Sequence, residues 1–147
     1  RPLVRHQAGR GKLEMTAEIY HQLDVDASCS EFIEDMAEAY AWADVVICRA
    51  GAMTVAEIAA AGVAAIFVPY PYAIYDHQTL NARFLADKKA AIVIPQERLS
   101  DESLSSVLNE LSNDRPVVMG LSRRARKNAK PDATRRVADF CNEVMHA

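Results

Sequence analysis

Apolar residues along this chain follow two alternating patterns. Short β-rich runs occupy residues 2–6, 27–32, 45–49, 65–69 and 91–95. The third and fourth, VVICR and AIFVP, are unbroken apolar runs, as expected of strands covered on both faces in a parallel sheet. Between the runs the period becomes helical. Leu13, Ala17, Tyr20 and Leu23 recur at helical spacing, as do Met36, Tyr40 and Ala43. An alanine-rich stretch over 53–61 ends at Gly62, a favoured residue just past a helix. Residues 76–88 predict another helix, with Leu80, Phe84 and Leu85 on one side. After the last strand, 100–111, 117–128 and 133–145 read as three successive helices. Val137, Phe140, Cys141, Val144 and Met145 make the last one amphipathic.

Repeated strand–helix alternation implies right-handed crossovers. The predicted fold is α/β: one doubly wound, Rossmann-like domain whose parallel sheet has helices on both faces, followed by a helical C-terminal tail. In such a sheet, ligands bind beyond the carboxyl ends of the strands. That rule selects the loops at 7–12, 33–35, 50–54 and 70–78.

The loop at 50–54 is the most informative. VVICR runs into Ala50, Gly51, Ala52 and Met53 and then directly into a helix. Small residues admit a ligand to the backbone, and a helix N-terminus with unpaired amides favours a phosphate. Thr54 and Glu57 also match a capping box, with Thr54 as N-cap and Glu57 folding back onto it. The alternative makes Glu57 an acceptor for two neighbouring hydroxyls, as acidic residues do on a ribose. Asp76, His77 and Gln78 open the next helix after a Pro-rich loop. Asp76 suits an N-cap, while His77 and Gln78 suit the same cleft, with Asn81 one turn further on. Gly9, Arg10, Gly11 and Lys12 lack the first glycine and the hydroxyl residue of a P-loop, so a flexible strand-to-helix turn is the simpler reading. No catalytic triad, carboxylate pair or metal-ligand spacing stands out. A binding unit without chemistry of its own is expected, with no cofactor and no metal.

Composition narrows the class. The 147 residues suit one domain; half are apolar and a quarter charged. No apolar run approaches the ~18 residues of a membrane span, and no signal-peptide layout is present. The net charge of −3 makes no case for nucleic acid. Basic residues do cluster, at Arg123, Arg124, Arg126, Lys127 and Lys130 with Arg135 and Arg136 beyond. They read either as a solvated helix face or as a patch attracting an anionic phospholipid surface. Cys29, Cys48 and Cys141 form no framework; Cys48 and Cys141 suit small core positions in a reducing cytoplasm. The absence of an initiator Met fits a piece of a longer protein and a processed chain equally well.

The stretches at 31–62 and 67–82, with HQAGRGK at 6–12 and PDATRRVAD at 131–139, closely resemble the bacterial transferases that add GlcNAc to lipid I to make lipid II. The resemblance covers nearly the whole chain. It implies the C-terminal half of a GT-B glycosyltransferase, an inverting, metal-independent enzyme of peptidoglycan synthesis at the cytoplasmic face of the inner membrane. Residues 1–147 would form the UDP-GlcNAc-binding domain without its first strand and phosphate loop. The acceptor-binding domain and the general base would lie outside the chain, leaving the isolated chain inactive. By resemblance, Ile33 meets uracil through its backbone with Phe32 nearby. The run Gly51, Ala52, Met53, Thr54, Val55 and Ala56 lies along the diphosphate and sugar. Glu57 holds the ribose hydroxyls, and Gln78 contacts the GlcNAc hydroxyls with His77 and Asn81 beside it. Ala50 stands where many relatives have Ser, and some carry Gln at His77. A stand-alone sugar-nucleotide-binding subunit and a GT-B transferase with another acceptor remain open alternatives.

Overall fold

The computed structural model describes residues 2–146 and divides the chain into two compact units, 1–39 and 40–147. In the first, β1 (Val4–Gln7) pairs in parallel with β2 (Ala27–Ser30), joined through α1 (Leu13–Gln22). The short α2 (Met36–Trp42) starts in this unit and carries into the next. His6 Nδ1 and the Tyr20 hydroxyl lie 2.9 Å apart, tying the strand to α1. No residue of α1 is buried, and Met15, Ile19 and Leu23 are exposed.

The second unit holds three parallel strands in the order β3 (Val45–Cys48), β4 (Ala64–Phe67) and β5 (Ile92–Val93). The connections are α3 (Ala52–Ala61) and α4 (His77–Ala86). Then follow α5 (Asp101–Asn113), α6 (Arg115–Lys127) and α7 (Ala133–Met145). β4 is central and all four of its residues are buried. Successive side chains alternate across a strand, so Ala64 and Ile66 share one face. There they join Ile94, Leu111, Val118 and Leu121 in a core built with α5 and α6. Ala65 and the fully buried Phe67 point the other way, while α3 and α4 bury Val55, Ile58, Ala59, Ala82 and Leu85.

Three expectations are corrected. The parallel strands lie in two sheets, β1–β2 and β3–β4–β5, rather than in one. VVIC is not covered on both faces either: nothing described packs fully over Ile47, which is 46% exposed. The third concerns Cys141, which is exposed rather than a core residue, because no residue of α7 is buried.

Helix ends follow local chemistry. Gly62 ends α3 in the left-handed conformation at φ 69°, its amide donating to Ile58 O at 2.9 Å. Ser100 and Ser103 form a reciprocal capping box at α5, and Asp114 accepts from Val117 N at α6. At α3 the capping box expected from Thr54 and Glu57 does not form. Gly51 takes an extended conformation and is itself the N-cap, with Val55 N donating to Gly51 O at 2.9 Å. The helix thus starts at Ala52, and Thr54 lies inside its first turn. Asp76 does occupy the N-cap position of α4, but in a left-handed conformation and without a side-chain cap bond.

Candidate nucleotide-binding turn

β3 ends at Cys48, and the next residues pass directly into α3. The amides of Ala52, Met53 and Thr54 precede the first intrahelical bond and meet no acceptor among the described residues. Ala52 and Met53 are exposed, Met53 at 77%. With the positive end of the helix dipole behind them, these three N–H groups can receive an anion. Ala56 is exposed one turn further on. Val55 is turned into the core, and its amide is already bonded to Gly51 O. Its amide and side chain are therefore both engaged within the protein.

Glu57 stands four residues after Met53, on the same face of α3 and exposed to solvent. Its Oε2 accepts a hydrogen bond from the Tyr40 hydroxyl at 2.9 Å. Tyr40 is almost fully buried. Burial first, then the hydrogen bond to Glu57 and the charges of Glu57 and Cys48, raise its pKa above the ordinary tyrosine value, so it remains a donor. Burial also pushes the Cys48 thiol up to about 12, which makes it an inert packing residue and not a nucleophile.

The turn is held from α4. Gln78 Oε1 accepts from both Ala50 N at 3.2 Å and Tyr70 N at 3.0 Å, joining the loops that follow β3 and β4. Asn81 Nδ2 donates to Ala50 O at 3.1 Å, and Ala50 is fully buried. Two backbone donors on one amide atom require that atom to be oxygen. Gln78 Nε2 and Asn81 Oδ1 are left as a donor and an acceptor without partners among the described residues. Arg49 adds bonds from Nη1 to Val68 O and Pro69 O, both at 3.2 Å, and lies 5.5 Å from the Tyr70 ring centroid. His77 is exposed at the start of α4, just after Tyr75 and Asp76, both at φ 53°.

Residues 2–137 match the family model for the glycosyltransferase family 28 C-terminal domain. The chain belongs to glycosyltransferase family 28. It is 50% identical over 146 residues to a UDP-N-acetylglucosamine–N-acetylmuramyl-(pentapeptide) pyrophosphoryl-undecaprenol N-acetylglucosamine transferase of Marinobacter nauticus, covering 99% of this chain and 40% of the relative. The transferase of the same name from Alcanivorax borkumensis is 53% identical over 143 residues, covering 97% and 40%. The crystal structure of Acinetobacter baumannii MurG superposes with a TM-score of 0.90 at 43% identity, over 97% of this chain and 42% of that one. The glycosyltransferase VinC, at 20% identity and a TM-score of 0.67 over 91% of this chain and 33% of its own, shares the fold. The chain spans about two fifths of the length of the curated relatives it matches.

The family 28 chain keeps its other expected site residues in the unit of 1–39. Ile33 N donates to Gln7 Oε1 at 2.9 Å, so its amide is already paired. Phe32 is 69% exposed. The loop at 7–12 has little left for a phosphate. Ala8 N and Gly9 N bond to Ser30 O and Glu31 O, and Gly11 N to Glu31 Oε1 at 2.6 Å. Gly9 and Gly11 adopt φ of 84° and 71°, the left-handed region that suits glycine.

Part of the basic segment also has structural work. The Arg126 guanidinium binds Ala60 O near the end of α3, and Arg124 Nε binds Lys89 O. The Arg126 cation near the end of α3 answers its exposed carbonyls and dipole. Lys130 lies 5.4 Å from the Phe84 ring centroid, and Arg135 pairs with Asp132 at 2.9 Å. Arg123, Lys127 and Arg136 remain exposed.

Sequence reading missed the roles of Tyr40 and Arg49, whereas Gln7 fell within the 7–12 loop it selected. Of the first two, only Arg49 left a signal, a charge at the end of an apolar strand.

Proposed function

We propose that this chain is the donor-binding half of an inverting hexosyltransferase. The reaction is transfer of GlcNAc from UDP-GlcNAc to undecaprenyl-pyrophosphoryl-MurNAc-pentapeptide, converting lipid I to lipid II in peptidoglycan synthesis. The observation that carries this reading is the end of β3. Three amides at the start of α3 meet no acceptor among the described residues and lie one turn before the carboxylate of Glu57. In this reading the amides take the diphosphate and offset the charge that develops as UDP leaves. Glu57 takes the ribose hydroxyls, and the Ile33 carbonyl accepts from uracil. Gln78 Nε2 and Asn81 Oδ1 meet sugar hydroxyls, with His77 beside them. The names of the relatives supply the substrates.

In the same reading, the acceptor and the general base belong to the remaining three fifths of such a protein. The whole is peripheral at the cytoplasmic face of the inner membrane. Among the described residues no helix is long and apolar enough to cross a membrane. The exposed Arg123, Lys127 and Arg136 are the residues free to attract an anionic lipid surface.

Calorimetric titration of the full-length protein with UDP-GlcNAc, UDP-GalNAc and UDP-glucose tests the donor. The expected result is a clear preference for UDP-GlcNAc; equal affinity for all three rejects the assignment.

A further inference from the structure

We infer that Tyr40 is a positioning residue for nucleotide recognition, holding the Glu57 carboxylate ready for the ribose. This inference rests on the reading of Glu57 as the ribose ligand. It deepens that reading by naming what makes the ligand effective.

The geometry supplies the argument. Glu57 is exposed in the second turn of α3, and among the described residues its carboxylate has one hydrogen-bond partner, the Tyr40 hydroxyl. An unrestrained glutamate there would sample many rotamers, and fixing one on binding costs affinity. Tyr40 differs in being almost fully buried, so its ring is held by packing and the hydroxyl that bonds Glu57 is held with it. It belongs to α2, whereas Glu57 belongs to α3, so the bond spans two elements 17 residues apart in sequence. A carboxylate offers about four acceptor positions. Tyr40 occupies one, on Oε2, leaving Oε1 and the second lone pair of Oε2 for two adjacent hydroxyls. A tyrosine hydroxyl keeps its proton throughout the neutral range, and burial raises the Tyr40 pKa further.

The test uses the full-length protein with Tyr40→Phe, Glu57→Gln and the double variant. Three properties are measured: donor KM and kcat, affinity for UDP against 2′-deoxy-UDP, and melting temperature. Phenylalanine keeps the buried ring and removes only the hydroxyl. Tyr40→Phe is expected to raise donor KM about fivefold with kcat nearly unchanged, the pattern of a lost contact common to ground and transition states. Its preference for UDP over the deoxy analogue should shrink, with melting close to wild type. The double variant should bind UDP no more weakly than Glu57→Gln alone, because the two residues act as one unit.

Unchanged KM in Tyr40→Phe, alongside weakened binding in Glu57→Gln, overturns the role of Tyr40 and leaves the ribose reading standing. So does a multiplied effect in the double variant. A Tyr40→Phe protein that melts early but keeps its full preference against the deoxy analogue shows a purely structural tyrosine and also overturns the inference. Unchanged UDP affinity in Glu57→Gln removes the ribose reading and this inference with it.

Discussion

Glu57 illustrates how one side chain can satisfy two sequence explanations until its neighbours are known. Spacing from Thr54 fits a helix cap, whereas an exposed carboxylate beside a phosphate-binding turn fits a ribose ligand. The structure removes the cap, because Gly51 starts the helix and the carboxylate bonds to Tyr40. Glu57→Ala in the full-length protein should therefore weaken UDP binding by more than tenfold, roughly 1.4 kcal/mol or above. Melting should barely move; a large stability loss with UDP affinity intact would restore the capping role. Cys48 gives a second prediction at this scale. Burial raises its thiol from 9.0 to about 12, so the folded state keeps this proton longer than the unfolded chain does. The resulting stability is fully present below about pH 9 and is lost as pH rises toward 12, with Tyr40 adding to the loss above about pH 10. Cys48→Ala should flatten the fall in melting temperature across that window. An identical slope in both proteins would show that the thiol is not responsible. Tyr40 was legible as a helix residue but its bond to Glu57 was not, since a contact between residues 17 apart belongs to packing and not to spacing.

At the scale of elements, the sequence carried most of the order and little of the pairing. Hydrophobic period located the strands and helices because each buries a face with its own repeat. Gly62 marked the end of α3 correctly for a local reason, the left-handed conformation of that stop. Sheet membership was not legible, since strand pairing depends on partners the local pattern does not name; nor does that pattern say which packed element covers a face, so the exposed Ile47 went unforeseen. The loops at the strand ends were found by rule, but their bracing by Gln78, Asn81 and Arg49 was not, because each acts on backbone atoms 19 or more residues away or across a second loop. Gly62 also has a tertiary constraint. A Cβ there would lie 2.9 Å from the Cβ of Arg126, whose guanidinium binds Ala60 O. Gly62→Ala combines left-handed strain with that overlap, and should cost about 2 kcal/mol in urea unfolding. A loss below about 0.5 kcal/mol would mean that Arg126 yields freely.

Across the whole molecule, burial is distributed unevenly, and stability should follow it. β4 is fully buried and α3, α4, α5 and α6 each place residues in the core, whereas no residue of α7 is buried. Its apolar stripe of Val137, Phe140, Val144 and Met145 is exposed, from 62% to 71%. A helix of 13 residues has marginal stability in water from its own propensity, and packing normally supplies the rest. α7 therefore contributes little to the folding of the isolated chain, although its stripe adds apolar surface that favours association. Ending the chain after residue 132 should leave the melting temperature within about 2 °C of the 147-residue chain, since loss of even 1 kcal/mol would shift it by more. The shorter chain should also stay monomeric to higher concentration in light scattering. Amide exchange offers the same comparison without truncation: α7 should exchange far faster than β4. A melting temperature that falls by several degrees on truncation would show that α7 is coupled to the core through its solvent-facing side chains.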